Sequence, residues 1–216
     1  MIAGKLDASG QGNFSGRQAH YLCEQAAQAP NDEALELLRR AMKTAPTGAA
    51  RPGMDLAALQ SRAGDHASAF KTLSALAESS PAAIPLLARP LVDAAQASGQ
   101  QAAALEVLKG GYELLPSIDV LEGMVALEPD AVAAREWYVK HLEREPSLVA
   151  ATRWIAGEKL EHEQFHPHVQ RALDHAVKPL TRYRCAACGF EAKQHFWQCP
   201  GCQAWDSYPA RRVEEL

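Results

Sequence analysis

A 35-residue period sets the strongest limit on what this chain can fold into. Pro46, Pro81 and Pro116 lie 35 residues apart. Before each proline, an alanine and a leucine recur at the same interval: Ala34, Ala69 and Ala104, and Leu38, Leu73 and Leu108. A small residue lets two helices approach closely, a larger one fills the groove between them, and a proline ends the helix. The period therefore predicts an array of helical hairpins.

The register continues beyond the third proline with a shorter spacing. Ala134, Tyr138 and Pro146 recover the pattern 30 residues after the preceding unit. This pattern resembles the second helix of a tetratricopeptide (TPR) repeat. Repeats of this kind stack on their neighbours into a solenoid with a concave surface for a partner. The alternative is a helical bundle without repeats, which the regular prolines disfavour.

Two C-x-x-C pairs predict a metal site near the C-terminus. Cys185, Cys188, Cys199 and Cys202 are four of the five cysteines in the chain. Two such loops facing each other present four thiolates as a tetrahedron, which suits zinc and equally suits a rubredoxin-type iron. Four protein ligands leave no open position, so we expect a structural metal rather than a catalytic one. We expect backbone N–H groups of the two loops and nearby Arg184 or Lys193 to offset the negative charge of the four thiolates. Two disulfides are the alternative, but paired C-x-x-C motifs are typical of metal sites.

Together the patterns predict a mainly α protein with two parts. Residues 1–178 are expected to form TPR-type hairpins, with Asn31 as the N-cap of the second helix. Residues 179–216 are expected to form a small rubredoxin-like or zinc-ribbon domain. This domain has too few apolar residues to fold alone, so metal binding and folding should be coupled. We expect the domain to dock against the last repeats.

The charge balance and the hydropathy exclude some classes of protein. The formal net charge is −4, whereas nucleic-acid-binding domains are normally basic. Trp197 and Trp205 beside the cysteines could still stack on bases, so a nucleic-acid-binding zinc ribbon stays an alternative function. No run of the sequence approaches the ~18–20 apolar residues that cross a bilayer. Free thiols that bind metal suit a reducing compartment, which favours the cytoplasmic side.

Two weaker candidates have simpler explanations. Residues 162–166 form an H-E-x-x-H string, which on a helix can bind zinc with the glutamate as base. Pro167 follows directly and should push His166 out of helical geometry, so we interpret these histidines as loop residues rather than a metalloprotease site. Cys23 stands alone on the first predicted helix, where a single cysteine is usually a small core residue.

The residues around the cysteines carry a wider resemblance. The matching positions are Tyr183, Arg184, Gly189, Phe190, Trp197, Pro200, Ala204 and Trp205, with the string at residues 20–24. On these residues the chain resembles the lipopolysaccharide assembly protein B family over nearly its whole length. Members of that family begin with a transmembrane helix and further repeats, so the resemblance implies that this chain corresponds to the C-terminal half or somewhat more. Gln203 stands where a rubredoxin has glycine, which argues against electron transfer.

The resemblance also implies a function. It implies a non-enzymatic adaptor that limits lipopolysaccharide production by bringing the deacetylase of the committed step of lipid A synthesis to the membrane AAA+ protease FtsH. Full-length members are anchored to the inner membrane and face the cytoplasm. Other lipopolysaccharide assembly proteins are further implied partners, and a homodimer is left open. An iron- or redox-sensing module is a second alternative, because the residues alone do not choose between zinc and iron.

Overall fold

Ten α-helices and one small sheet supply most of the regular structure of residues 14–159 and 161–216, the part of the chain that this computed structural model describes. The helices are α1 Phe14–Gln28, α2 Asn31–Thr44, α3 Arg51–Arg62, α4 His66–Ser79, α5 Ile84–Ser98, α6 Gln101–Leu114, α7 Ile118–Leu127, α8 Ala131–Arg144, α9 Leu148–Ala156 and α10 His166–Val177. Strands β1 Tyr183–Arg184 and β2 Glu191–Ala192 follow, and short 3-10 turns lie at Pro81–Ala83, Glu163–Phe165 and Val213–Glu215. The chain divides into two compact units, the first ending at Val107 and the second spanning Leu108–Leu216.

The period appears in the structure as four helices of equal length. Helices α2, α4, α6 and α8 each contain 14 residues. Each ends two residues before a proline of the repeat, namely Pro46, Pro81, Pro116 or Pro146. Proline lacks the N–H that would extend a helix, which explains the common end point. The fourth unit is shorter because α7 has 10 residues where α5 has 15.

The repeated alanines and leucines form the buried face of these helices. Each alanine is the fourth residue of its helix and is buried: Ala34, Ala69, Ala104 and Ala134. Residues four positions later lie on the same face and are buried too: Leu38, Leu73, Leu108 and Tyr138. The hairpin period predicted from the sequence is therefore confirmed. The TPR type of the hairpins and a domain boundary after residue 178 stay predictions.

The first unit has a core in which α1, α2 and α3 meet. Leu22 and Cys23 of α1 pack with Leu38 of α2 and Leu56 of α3 in one buried cluster. Cys23 is 1% exposed, and its burial, together with the negative charge of Asp55, raises the pKa of its thiol to about 12. A thiol that stays protonated at neutral pH packs as a small apolar group. The interpretation of Cys23 as a core residue is confirmed.

One predicted helix start is wrong by a residue. Asn31 is the first residue of α2 rather than its N-cap, and Pro30 takes the cap position without a side-chain hydrogen bond. Pro30 has φ −57° and ψ 155°, a conformation that suits the residue before a helix. Asp65 and Asp130 cap the equivalent helices α4 and α8 by accepting hydrogen bonds from Ser68 N–H and Val132 N–H. The cap therefore precedes the predicted position by one residue.

The second unit contains α7–α10 and the C-terminal ribbon. Helix α9 packs against both α8 and α10, and α7 packs against α8. Ile118 and Leu121 of α7 and Val149 of α9 are buried in this unit. Among the described residues, no helix has the length and the hydropathy that a bilayer span requires. The helices of this unit form the surface on which the ribbon lies.

Candidate metal centre

The first cysteine loop closes a two-stranded ribbon. Strand β1 pairs with β2 in antiparallel register, and the loop between them begins at Cys185. The N–H of Gly189 donates to the carbonyl oxygen of Cys185 at 2.9 Å. The N–H of Cys185 donates in turn to the carbonyl oxygen of Phe190 at 2.9 Å. These two bonds fold the loop tightly, so both of its cysteines face the same side.

The second cysteine loop repeats the construction of the first. In this loop the N–H of Gln203 donates to the carbonyl oxygen of Cys199 at 2.8 Å. The N–H of Cys199 donates to the carbonyl oxygen of Ala204 at 2.9 Å. Gln198 and Trp205 form an antiparallel bridge at its base. The two loops therefore share one backbone design, although their residues at the closing position differ.

The closing residue of each loop has a left-handed backbone. Gly189 has φ +77° and Gln203 has φ +60°. Glycine adopts this conformation freely, whereas a residue with a Cβ is strained by roughly 1–2 kcal/mol. The substitution of glutamine for glycine, noted in the sequence, leaves the loop geometry intact. The second loop holds that strain within its own backbone.

The loops bring four sulfur atoms to one point. Cys185 Sγ lies 3.9 Å from Cys202 Sγ, and Cys188 Sγ lies 3.7 Å from Cys199 Sγ. All four sulfurs lie within 4.8 Å of one another. A zinc–sulfur bond of about 2.3 Å requires sulfurs about 3.8 Å apart in a regular tetrahedron. These separations match a shared metal ion, and they are far too long for disulfides.

The protein stabilises a negative charge on two sulfurs, Cys185 and Cys199, but does not balance four. Desolvation opposes the charge on Cys199, but the backbone N–H groups of Cys202 and Gly201 outweigh it, so the pKa of this thiol is lowered. The hydrogen bond between Cys185 Sγ and Ser207 Oγ, 3.2 Å long, is the main cause that lowers the pKa of Cys185 to about 6, with help from the backbone N–H groups of Cys188 and Ala187. The N–H of Phe190 lowers the pKa of Cys188, but desolvation and the three neighbouring thiols raise it on balance to about 12. A divalent cation would supply the positive charge that stabilises four neighbouring thiolates.

An aromatic cluster packs beside the cysteines. The His195 ring lies edge-on to three aromatic rings, with centroid distances of 5.5 Å to Tyr183, 4.7 Å to Trp197 and 6.0 Å to Tyr208. Phe196 adds a further contact to Tyr208 at 6.0 Å. Trp197 thus packs within the ribbon. This cluster gives the ribbon a small apolar interior.

The sequence reasoning missed two residues that support the sulfurs and misplaced a third. The Ser207 hydroxyl reaches Cys185, as described above, and Tyr208 is buried with its hydroxyl 3.9 Å from Cys199 Sγ. Arg184 was expected to offset the charge of the sulfurs. Its guanidinium instead donates to the carboxylate of Glu191 at 2.8 and 3.0 Å, because the strand register sets these two residues opposite each other.

Arg212 fastens the ribbon to α7. Its guanidinium donates two hydrogen bonds of 2.7 Å to the carboxylate of Asp119 and a third, of 2.8 Å, to the carbonyl oxygen of Thr181. The same group lies 4.0 Å from the centroid of the Tyr183 ring in β1. Paired hydrogen bonds of this kind are among the strongest polar contacts in proteins. One side chain therefore joins α7, the segment before the ribbon and β1.

Two consecutive glutamates cap two helices of the same unit. The carboxylate of Glu215 accepts a hydrogen bond from Ile118 N–H, at the start of α7, at 2.8 Å. The carboxylate of Glu214 accepts bonds from Leu148 N–H at 2.6 Å and Val149 N–H at 3.1 Å, both at the start of α9. The first N–H groups of a helix lack internal partners and favour a nearby negative charge. The segment after the ribbon thus completes both helix starts.

The H-E-x-x-H string does not form a zinc-binding helix face. Glu163–Phe165 is a 3-10 turn, and α10 begins at His166. His166 has φ −51° and ψ −47°, so the expected displacement of this residue by Pro167 was wrong; the proline lies in the first turn of α10, where its missing N–H costs nothing. Across residues 14–159 and 161–216, the side chains placed to share a metal ion are those of the four cysteines.

The chain is similar to known proteins over most of its length. Residues 183–208 match the family described as Rubredoxin metal binding domain. Lipopolysaccharide assembly protein B of Escherichia coli (strain K12) is 24% identical over 211 residues, which cover 92% of this chain and 54% of the relative. The protein of that name from Haemophilus influenzae is 23% identical over 201 residues, which cover 88% of this chain and 50% of the relative. The chain spans about half the length of these curated relatives. It is therefore similar to lipopolysaccharide assembly protein B along most of its own length, with a rubredoxin-type ribbon at residues 183–208.

Proposed function

We propose that this chain is a non-enzymatic scaffold in lipopolysaccharide assembly, with a metal ion that holds its ribbon in shape. Cys185, Cys188, Cys199 and Cys202 bind the ion, zinc or iron, as four thiolates. The ion is structural, because four protein sulfurs fill its coordination sphere. It supplies positive charge at the centre of a segment that has little core of its own.

The observation that carries the proposal is the similarity to lipopolysaccharide assembly protein B over about nine tenths of the chain. The resemblance implies an adaptor that brings the deacetylase of lipid A synthesis to the FtsH protease at the cytoplasmic face of the inner membrane. The helical hairpins suit that role, since stacked hairpins expose long surfaces to protein partners.

The contacts between the ribbon and α7 and α9 explain why a scaffold would need the metal. Arg212, Glu214 and Glu215 connect the ribbon and the segment after it to the starts of both helices. Loss of the ion would release the ribbon, and the helix starts would lose their carboxylates. The metal therefore acts on the partner-binding surface through the fold.

The first test separates the metal from the fold. We expect Cys199→Ser with Cys202→Ser to remove the bound metal, measured by elemental analysis of protein from its own host, and to expose residues 183–208 to limited proteolysis. Cys23→Ala is the matched control and keeps the metal, since Cys23 lies in the core of the first unit. Protection of residues 183–208 in the metal-free double variant would contradict the structural role.

The second test concerns the partners. The metal-loaded chain is immobilised and exposed to purified deacetylase and to purified FtsH in detergent. We expect both to bind the parent chain and to bind the cysteine double variant at least tenfold more weakly. Failure of both proteins to bind the metal-loaded chain would reject the adaptor role. Salt-dependent binding to DNA or RNA instead would favour the nucleic-acid alternative.

A further inference from the structure

A charged cavity lies where the ribbon meets α7 and α9. Its volume is about 480 Å³, and the residues that matter for its chemistry are Ile118, Val149, Lys178, Arg182, Lys193 and Arg212. We call it the lysine cavity. Its lining includes five cationic and three anionic side chains, which leaves two positive charges in excess. The question is which of these charges are already balanced.

The three carboxylates of the lysine cavity are all engaged within the protein. Asp119 is held by Arg212 at 2.7 Å, and Glu122 is held by Arg153 at 3.0 Å. Glu214 accepts from the start of α9, as described above. The carboxylates thus neutralise Arg212, Arg153 and the helix start. None of the three carboxylates pairs with Lys178, Arg182 or Lys193.

In the described part of the chain, the two lysines of the lysine cavity are uncompensated, and Arg182 shares its carboxylate partner with a second arginine. Within residues 14–159 and 161–216, neither Lys178 nor Lys193 makes an ion pair. Arg182 lies 3.7 Å from Glu191, but that carboxylate is held more closely by Arg184 at 2.8 Å. Three positive side chains around one cavity repel one another. A ligand with two negative charges would relieve that repulsion.

We propose that the lysine cavity binds a phosphate monoester. A phosphate monoester carries nearly two negative charges at neutral pH and three acceptor oxygens, which matches the two charges in excess and the separate donors of the lysines and Arg182. Buried Ile118 and Val149 on the helix side offer apolar contact to the organic part of the ligand. The ligand would join the ribbon to the helices, so its binding would stabilise the second unit.

The direct test uses glycerol 3-phosphate as a soluble probe and glycerol as its uncharged control, measured by calorimetry on the metal-loaded chain. Lys178→Gln and Lys193→Gln should each weaken binding about tenfold, since each removes a charge-assisted hydrogen bond. Lys43→Gln is the matched control, because Lys43 is exposed on α2 and is not part of the cavity lining. Circular dichroism checks that the variants keep their helices.

A second arm distinguishes two sources of the phosphate. Phosphatidylcholine vesicles with and without phosphatidic acid are sedimented with the chain. If the chain binds the acidic vesicles and Lys178→Gln weakens that binding, the ligand is a lipid headgroup. If the chain binds glycerol 3-phosphate but not the vesicles, the ligand is a soluble metabolite. Either result supports a phosphate monoester in the lysine cavity. Binding of neither probe, or equal binding by the parent chain and the Lys178→Gln and Lys193→Gln double variant, would overturn it.

Discussion

Arg212 and Asp119, 93 positions apart in sequence, are joined by two hydrogen bonds of 2.7 Å. The pair is largely removed from water, with 22% of the Arg212 side chain and 17% of the Asp119 side chain exposed. A planar guanidinium facing a carboxylate forms a contact that a lysine does not reproduce. Substitution of either residue of this pair therefore measures how much the attachment of the ribbon to α7 contributes to stability.

Replacement of Arg212 should loosen the second unit. We expect Arg212→Ala to lower the free energy of unfolding by about 2 kcal/mol, because it leaves a half-buried carboxylate without its partner. Arg212→Lys should recover less than half of that loss, since lysine offers a single point of contact. Urea denaturation measures both changes. A double-mutant cycle with Asp119→Asn that gives no coupling would show that the pair contributes nothing.

Glu214 should matter locally at α9. We expect Glu214→Ala to lower the free energy of unfolding by about 1 kcal/mol, as loss of a helix cap does. Amide hydrogen exchange should rise at Leu148 and Val149, whose N–H groups lose their acceptor. Glu143→Ala, on the exposed side of α8, is the control and should change neither quantity. Unchanged exchange at these two amides would argue against the cap.

The two cysteine loops should respond in opposite directions to substitution at their closing residue. Gln203→Gly relieves left-handed strain and should stabilise the metal-bound ribbon by about 0.5–1 kcal/mol, after the entropy of glycine is counted. Gly189→Ala introduces the same strain and should destabilise it by about 1–2 kcal/mol. Thermal unfolding of the metal-loaded chain compares the two. A stabilising Gly189→Ala would mean that the loop adopts a different backbone.

Buried His141 should make the chain sensitive to acid. It is 3% exposed, with its Nδ1 2.7 Å from the Tyr112 hydroxyl. Burial lowers its pKa, against the charges of Glu145 and Glu214 that raise it. The unfolded chain therefore binds the proton first as the pH falls through about 6.5, so the free energy of unfolding decreases on acidification.

The measurement for His141 is the slope of unfolding free energy between pH 7 and pH 5. We expect His141→Phe to flatten this slope relative to the parent chain by up to about 1.4 kcal/mol per pH unit. Val169→Ala, at an exposed position of α10, removes no titratable group and should leave the slope unchanged. Equal slopes in the parent chain and His141→Phe would show that this histidine does not titrate differently on folding.

The parts of the structure that depend on local sequence could be predicted. A proline lacks the N–H that would extend the helix before it, so the regularly spaced Pro46, Pro81 and Pro116 marked three helix ends from sequence alone. The C-x-x-C spacing likewise fixes a loop of a few residues, so the meeting of the four cysteines could be foreseen. Both patterns act over distances of a few residues to one repeat.

Contacts between distant residues could not be predicted. Ser207 lies 22 positions after Cys185, and Glu215 lies 97 positions after Ile118. A serine or a glutamate has no local pattern that reveals such a partner, because the contact depends on how the ribbon lies on the helices. Arg184 was misplaced for a related reason: strand register, rather than nearness to the cysteines in sequence, decides which group it meets.

The long sequence separation between the starts of α7 and α9 and the glutamates that cap them, Glu215 and Glu214, has a consequence for folding during synthesis. Ser117 and Ser147 cap these helices from the adjacent position, accepting from Val120 N–H and Ala150 N–H as soon as each first turn forms. The carboxylate for α7 leaves the ribosome 97 residues after Ile118, which at about 5–20 residues per second is roughly 5–20 s later. During that time the start of α7 has the Ser117 cap but lacks the Glu215 carboxylate that accepts from Ile118 N–H.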